Sequence, residues 1–261
     1  MPWCSISQYR NIEQVNEAVS LNRITKMVNT KTKEIYSNQG EIELFYSPNS
    51  KSDSIVTKIL NKEYKIVMNI VKRIINKKVG KLNKKIQLTA LDIGCSGGRY
   101  CFSFAKLGLK TTGIDIAKKA TDFASKKSKE LGTKNLTFQV GEATNLKFKP
   151  NTFDIIICIE VLHHLSNKDL KIAFQQIHKV LKPGGVAIID LKNKLNTIIN
   201  LTYKYHTNKT FKNTGHLMLT RTPHQYTRLI KNTGLKIIKS KSIFSPIKLL
   251  SPVIMYIIKK K

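Results

Sequence analysis

The chain has 261 residues, of which 41% are hydrophobic, so it is large and apolar enough for one sizeable α/β domain with an appendage. These totals exclude global disorder. No apolar stretch reaches about 18 residues, the length that a membrane-spanning helix needs, and we expect no transmembrane segment. The N-terminal sequence MPWCSISQYR does not show the basic-then-apolar pattern of a signal peptide.

The formal net charge of +30 is distributed unevenly. All 16 acidic residues lie within residues 1–191, whereas residues 192–261 contain 15 lysines and arginines and no acid. A coding bias towards lysine explains the abundance of positive charge but not its asymmetry. Two interpretations stay open: the tail 192–261 is a positive face for an anionic partner, or it is an array of solvated lysines.

The four cysteines, Cys4, Cys95, Cys101 and Cys158, have neither the paired spacing of a disulfide framework nor accompanying histidine clusters. We therefore expect reduced thiols, a cytoplasmic location and no metal site.

Residues 1–85 form a predicted N-terminal helical extension, or cap. Its first 40 residues carry no clear structural pattern, whereas residues 53–78 have the periodicity of a helix with a basic polar face.

Residues 86–261 form the second predicted domain, in which short apolar runs alternate with helix-like segments. This alternation predicts an α/β fold with a Rossmann-like, doubly wound and mostly parallel sheet. Strands are predicted at 86–94, 109–116, 135–140, 153–162 and 186–191. Helices are predicted after the first, second and fourth of these strands, and Asn167 is the predicted cap of the last one.

Residues 192–222 form a polar, irregular insertion, after which Thr222 is predicted to cap a helix that begins at Pro223. One more strand follows. The final apolar stretch, IFSPIKLLSPVIMYII with three lysines after it, is either a last strand or an amphipathic helix that rests on an anionic membrane surface.

The segment LDIGCSGGRY, residues 91–100, places three glycines between the first strand and its helix. A glycine turn at this edge of an open α/β sheet brings main chain close to a ligand, and the free N–H groups of the helix favour a negative group. The segment lacks the lysine of a phosphate-binding loop, and its G-x-x-G-G spacing does not fit the G-x-G-x-x-G of dinucleotide enzymes. Asp115 ends the second strand, where a carboxylate accepts the hydroxyls of a ribose.

The segments LDIGCSGGRY, GIDIA, GEATNLKF, FDIIICIEVLHHL and LKPGG resemble, in order and spacing, the motif series of class I S-adenosylmethionine-dependent methyltransferases, in particular the type 11 group. The resemblance covers roughly residues 86–191. Asp92 and Gly94 fit the acidic-x-Gly start of the first motif and Gly98 its last glycine, whereas Ser96 replaces the middle glycine.

The resemblance implies S-adenosylmethionine as the cofactor and a role for each matching residue. Asp115 would bind the ribose, Ile116 would pack on the adenine, and the main chain of Glu160 would meet the amino group of the cofactor. The full predicted set of cofactor-binding residues is Asp92, Gly94, Cys95, Ser96, Gly98, Asp115, Ile116, Glu142, Ala143 and Glu160.

The chemistry implied by the resemblance is in-line displacement of a methyl group from a positive sulfur, in which orientation of the acceptor is the main task of the protein. A base is needed only if the attacking atom loses a proton, and His164 is the candidate. The expected acceptor is a small or lipid-like molecule. Two alternatives stay open: an RNA acceptor such as tRNA contacted by the basic tail, or a catalytically silent cofactor-binding scaffold.

Overall fold

The computed structural model describes residues 55–80, 87–201, 204–205, 218–245, 247 and 250–260. Its helices are α1 (Ile55–Gly80), α2 (Arg99–Lys106), α3 (Lys118–Glu130), α4 (Asn167–Val180) and α5 (Pro223–Lys231), with a 3-10 turn at Leu162–His164. Its strands are β1 (Thr89–Ile93), β2 (Lys110–Asp115), β3 (Leu136–Val140), β4 (Phe153–Cys158), β5 (Leu181–Lys192), β6 (Leu235–Ser242) and β7 (Val253–Lys260).

The seven strands form one sheet in the order β3-β2-β1-β4-β5-β7-β6. The first five strands are parallel, and β7 pairs antiparallel with both β5 and β6. The chain winds outward from β1 in one direction and then from β4 in the other. The carboxyl ends of β1 and β4 therefore form the switch point at which open α/β sheets bind their ligands.

The central strands are buried on both faces because helices cover both sides of the sheet. Every residue of β4 is buried, as expected for its unbroken apolar sequence. Ile156 and Cys158 pack towards Phe174 of α4, whereas Ile155 and Ile157 belong to the opposite cluster, with Val67 of α1. The predicted α/β class and the mostly parallel Rossmann-like sheet are confirmed.

Two predicted boundaries were wrong, and each has a local cause. The cap of α4 is Ser166 rather than Asn167, because the Ser166 hydroxyl accepts a hydrogen bond from the Asp169 N–H. The fifth strand begins at Leu181 rather than at residue 186, because Leu181 pairs with Phe153 before the Pro-Gly-Gly segment. The predicted cap of α5 is confirmed: Thr222 and Gln225 form a reciprocal capping box.

The final apolar stretch contains strand β7, which lies between β5 and β6. Val253, Ile254, Met255 and Tyr256 are all buried in the sheet core. These side chains are therefore unavailable to a membrane surface, and the membrane interpretation of residues 253–258 is not supported. Within the described residues, no helix is long and apolar enough to cross a membrane.

Residues 1–54 and 81–85 of the predicted N-terminal extension lie outside the described residues, as do residue 86 and residues 202–203 and 206–217 of the predicted insertion. The helical prediction for residues 53–78 is confirmed from residue 55 onward by α1, which packs on the sheet through Val67 and Val71. Cys95, Cys101 and Cys158 are buried free thiols. Cys4 lies in the part that is not described.

Candidate functional site

A cleft opens at the carboxyl edge of the parallel strands, and the loop after β1 forms its floor. The N–H groups of Gly94 and Cys95 both donate to the Ile114 carbonyl of β2, at 2.8 and 2.9 Å, which ties the loop to the neighbouring strand. Gly94, Ser96 and Gly98 adopt positive φ angles of 76°, 44° and 88°. These left-handed conformations produce a tight turn that leads directly into α2.

The protein's own packing requires glycine at two positions of this loop, Gly94 and Gly98. A Cβ atom on Gly94 would lie 2.2 Å from Cγ2 of Val161, and one on Gly98 would lie 2.8 Å from the ring of Phe138. Packing within the protein therefore already requires glycine at both positions. The expectation that this loop brings main chain close to a ligand stays a prediction, and Gly94 and Val161 both line the cleft.

Asp115, the last residue of β2, holds the loop after β1 through its carboxylate. One oxygen accepts the N–H of Ser96 at 2.8 Å and the other accepts the N–H of Ala117 at 2.9 Å. Burial raises the pKa of Asp115 above its usual range, and the hydrogen bonds from Ala117 and Ser96 oppose that rise. The bond to Ser96 also explains how a non-glycine residue is held in the left-handed region. Asp115 lines the cleft, and its carboxylate oxygens keep lone pairs for a ligand.

Asp92 lies beneath the same loop and is 2% exposed. Its carboxylate accepts a hydrogen bond from the Cys101 thiol at 3.2 Å. Burial raises the pKa of Asp92 to about 7, an effect that the Cys101 bond opposes and the Asp115 charge reinforces. The first acidic residue of the predicted motif is therefore partly protonated near neutral pH.

The structure brings almost all of the predicted site residues together. Those that line the cleft are Asp92, Gly94, Cys95, Ser96, Asp115, Ile116, Glu142, Ala143, Glu160 and His164. Gly98 is the exception, because it packs against Phe102 and Phe138 instead. Their contacts with a cofactor stay a prediction.

Sequence reasoning missed the wall that α1 and α2 contribute. Leu60, Arg99 and Tyr100 line the cleft as well. The Arg99 guanidinium donates to the Asn61 side-chain oxygen at 2.6 Å and lies 4.7 Å from the Tyr64 ring centroid, so it joins α2 to α1. Burial lowers the pKa of Arg99. No motif links a helix before residue 81 to the loop after β1, because only tertiary packing brings them together.

A buried charged cluster, formed by Glu63, Glu160, Asp190 and Lys192, lies behind the Glu160 wall of the cleft. The Lys192 ammonium donates to the Glu160 carboxylate and, at 3.0 Å, to Asp190, and it lies 3.9 Å from Glu63. Glu63 and Asp190 are fully buried. One sign of this cluster is visible in the sequence: Asp190 and Lys192, two positions apart, follow the apolar residues 186–189 at the end of β5.

Glu160 itself has a left-handed backbone, with φ of 61°. Its N–H donates to the Asp190 carboxylate at 2.7 Å. His163 is buried, with Nε2 4.0 Å from Glu160 Oε2, and its ring centroid lies 3.8 Å from that of His164. Glu160, His163 and Asp190 each place an atom that could bind a metal ion within 4.8 Å of the other two. The Lys192 ammonium, however, already supplies a positive charge to both carboxylates.

The sheet order, the loop after β1 and the acid at the end of β2 define a Rossmann-like domain of the class I methyltransferase type. Residues 91–189 match the family described as "Methyltransferase domain", of type 11. We identify this part of the chain as a class I methyltransferase domain.

Curated relatives share this region. The chain is 30% identical over 135 residues to a "Ubiquinone biosynthesis O-methyltransferase" of Vibrio cholerae, covering 52% of this chain and 54% of the relative. It is 36% identical over 95 residues to the "Uncharacterized methyltransferase YcgJ" of Bacillus subtilis, covering 36% of this chain and 37% of that protein. The chain thus spans about half the length of the first of these relatives and less of the second.

Solved structures extend the likeness of fold to more of the chain. Magnesium protoporphyrin IX methyltransferase from Synechocystis PCC 6803 with bound SAH has a TM-score of 0.67 at 17% identity, covering 90% of this chain and 100% of that chain. The PH0226 protein from Pyrococcus horikoshii OT3 has a TM-score of 0.59 at 19% identity, covering 83% and 95%. At these identities the likeness concerns the fold alone.

Proposed function

We propose that the protein is a methyltransferase that uses S-adenosylmethionine and methylates a hydroxyl group of a small, aromatic or lipid-like acceptor. The observation that carries this proposal is the cleft at the switch point, which is lined by nine of the ten residues that the motif series marks for the cofactor. The identification of a class I methyltransferase domain at residues 91–189 supports the same conclusion.

The residues present fit this cofactor. Asp115 offers a carboxylate at the end of β2. Its oxygens accept the N–H groups of Ser96 and Ala117 and keep lone pairs that could accept from a ribose hydroxyl. Ile116, Glu142 and Ala143 line the adjacent wall, where the adenine would lie. The loop after β1 would hold the methionine end.

S-adenosylmethionine supplies an activated methyl group on a positive sulfur. The protein would hold the acceptor hydroxyl in line with the sulfur–methyl bond, and this orientation can account for several powers of ten in rate. The methyl group would pass to the acceptor oxygen while its former bonding electron pair stays on sulfur, and the acceptor hydroxyl would lose its proton. His164 is the base predicted from the sequence, and it lines the same wall as the carboxylate of Glu160.

The acceptor class rests on two lines of support. The relatives from Vibrio cholerae and Albidiferax ferrireducens are O-methyltransferases by name. The lining of the cleft also includes the apolar side chains of Leu60, Val161 and Leu165. Such a lining suits an aromatic or lipid-like molecule better than a polyanion.

A labelled-methyl assay tests the proposal. The chain is incubated with methyl-labelled S-adenosylmethionine and with catechol, a long-chain catechol or total tRNA, and label is counted in the organic, aqueous and RNA fractions. We expect label in the organic fraction, and none from Asp115→Ala. If label appears only in the RNA fraction, the acceptor is RNA and the proposed small or lipid-like acceptor is wrong. Cofactor binding without transfer to any fraction would indicate a silent scaffold.

A further inference from the structure

The buried charged cluster behind the Glu160 wall contains three carboxylates and one ammonium. Its members come from three separate parts of the fold: Glu63 from α1, Glu160 from the loop after β4, and Asp190 and Lys192 from the end of β5. A buried array of this kind contributes less to stability than apolar residues of similar volume. Its position against the cleft therefore points to a function.

Asp190 and Lys192 of β5 both contact Glu160. Asp190 accepts the Glu160 N–H and so holds its backbone in the left-handed conformation, while Lys192 binds its carboxylate. Non-glycine residues in this conformation concentrate at functional sites. Among the four residues of the cluster, Glu160 alone lines the cleft, and its side chain is 24% exposed whereas the others are almost fully buried.

We propose that Glu160, rather than His164, accepts the proton that the acceptor hydroxyl loses, and that Lys192 and Asp190 are positioning residues for it. This inference rests on the proposed function, because it presupposes methyl transfer to a hydroxyl. The acceptor oxygen gains the methyl group, its proton passes to a Glu160 oxygen, and the proton later leaves through the open cleft to water.

The charge of the cluster leaves room for that proton. Burial raises the pKa of Glu63 well above its usual range, and the nearby Glu160 and Asp190 add to the rise although Lys192 opposes it. The cluster contains three carboxyl groups and one ammonium, so a proton taken up at Glu160 reduces its excess of acidic groups over basic ones.

Two catechols separate this role from a structural one. A base is needed for catechol, whose hydroxyl is protonated at neutral pH, and much less for 4-nitrocatechol, whose acidic hydroxyl ionises readily. For Glu160→Gln we expect a loss of kcat of about 100-fold or more with catechol and of less than about tenfold with 4-nitrocatechol. Saturable binding of S-adenosylhomocysteine, measured by calorimetry, shows that the variant folds.

Three further variants complete the design. His164→Asn should lose the same small factor with both catechols, and the exposed Glu130→Gln is the matched control for removal of a carboxyl group. In Lys192→Met we expect a larger loss of kcat with catechol than with 4-nitrocatechol, as in Glu160→Gln, because the ammonium no longer positions the Glu160 carboxylate, while Lys192→Arg should restore most of the activity. Glu63, His163, Asp190 and Lys192 are among the titratable groups next to Glu160.

The outcomes are distinguishable. An equal loss with both catechols in Glu160→Gln, or an acidity-dependent loss in His164→Asn instead, overturns the role of Glu160 while the methyltransferase proposal stands. A wild-type chain that methylates neither catechol overturns the proposed acceptor class, and this inference with it.

Discussion

Gly94→Ala should destabilise the protein for two separable reasons. The first is conformational, since alanine at φ of 76° costs about 1–2 kcal/mol. The second is steric, because the new Cβ would lie 2.2 Å from Cγ2 of Val161, and overpacking of this kind costs about 1–3 kcal/mol. The two reasons together predict a loss of about 2–5 kcal/mol in the free energy of unfolding.

A double-mutant cycle separates the two reasons. Val161→Ala removes the methyl group that the new Cβ would meet, so the double variant Gly94→Ala/Val161→Ala should recover the steric part, with a coupling energy of about 1–3 kcal/mol. The conformational part should persist. The assay is urea unfolding of the four proteins with a common m-value. Gly108→Ala is the matched control, since Gly108 also has a positive φ, of 83°, but nothing lies within 4 Å of its Cβ position.

The control should therefore show only the conformational cost. A coupling energy near zero, or a Gly94→Ala variant no less stable than Gly108→Ala, would refute the argument that Val161 requires a glycine at this position.

Three further predictions concern other parts of the structure. Asp115→Ala should weaken binding of S-adenosylhomocysteine about 100-fold or more, because hydrogen bonds to a charged group contribute about 1.5–3 kcal/mol each; calorimetry that finds less than a threefold change contradicts the role of this residue. Lys182, Lys78 and Thr89 hold the pKa of Asp154 at about 2 against the opposing effect of burial, so Asp154 should contribute about 1–2 kcal/mol of stability above pH 4 that is lost as pH falls through 2. If Asp154→Asn unfolds in acid at the same pH midpoint as the wild type, Asp154 does not make this contribution. Thr222→Ala should cost about 1 kcal/mol in urea unfolding, and Thr222→Ser should restore most of it.

The parallel half of the fold was accessible from the sequence because each strand carries its own local signal. The apolar run of β4, the glycine loop and the acid at the end of β2 all lie within short segments, so their order alone indicates the switch point. The cap of α5 was equally local, since Thr222 and Gln225 are three residues apart.

The remaining features depend on contacts between distant segments. Glu63 and Lys192 are 129 positions apart, and nothing near either residue indicates that they meet. The position of Val161 over Gly94 depends on the turn after β4, and that turn is fixed by Asp190 on another strand. The insertion of β7 between β5 and β6 likewise decides that the final apolar stretch is core. Local periodicity contains none of this information.

The central claim is that the cleft at the carboxyl edge of β1, β2 and β4 binds a sulfonium nucleoside. Calorimetric titration of the wild-type chain with S-adenosylhomocysteine, and in parallel with NAD, tests it most directly. The claim predicts saturable one-to-one binding of S-adenosylhomocysteine and no saturable heat with NAD. Saturable binding of NAD, or the absence of heat with S-adenosylhomocysteine, would contradict it.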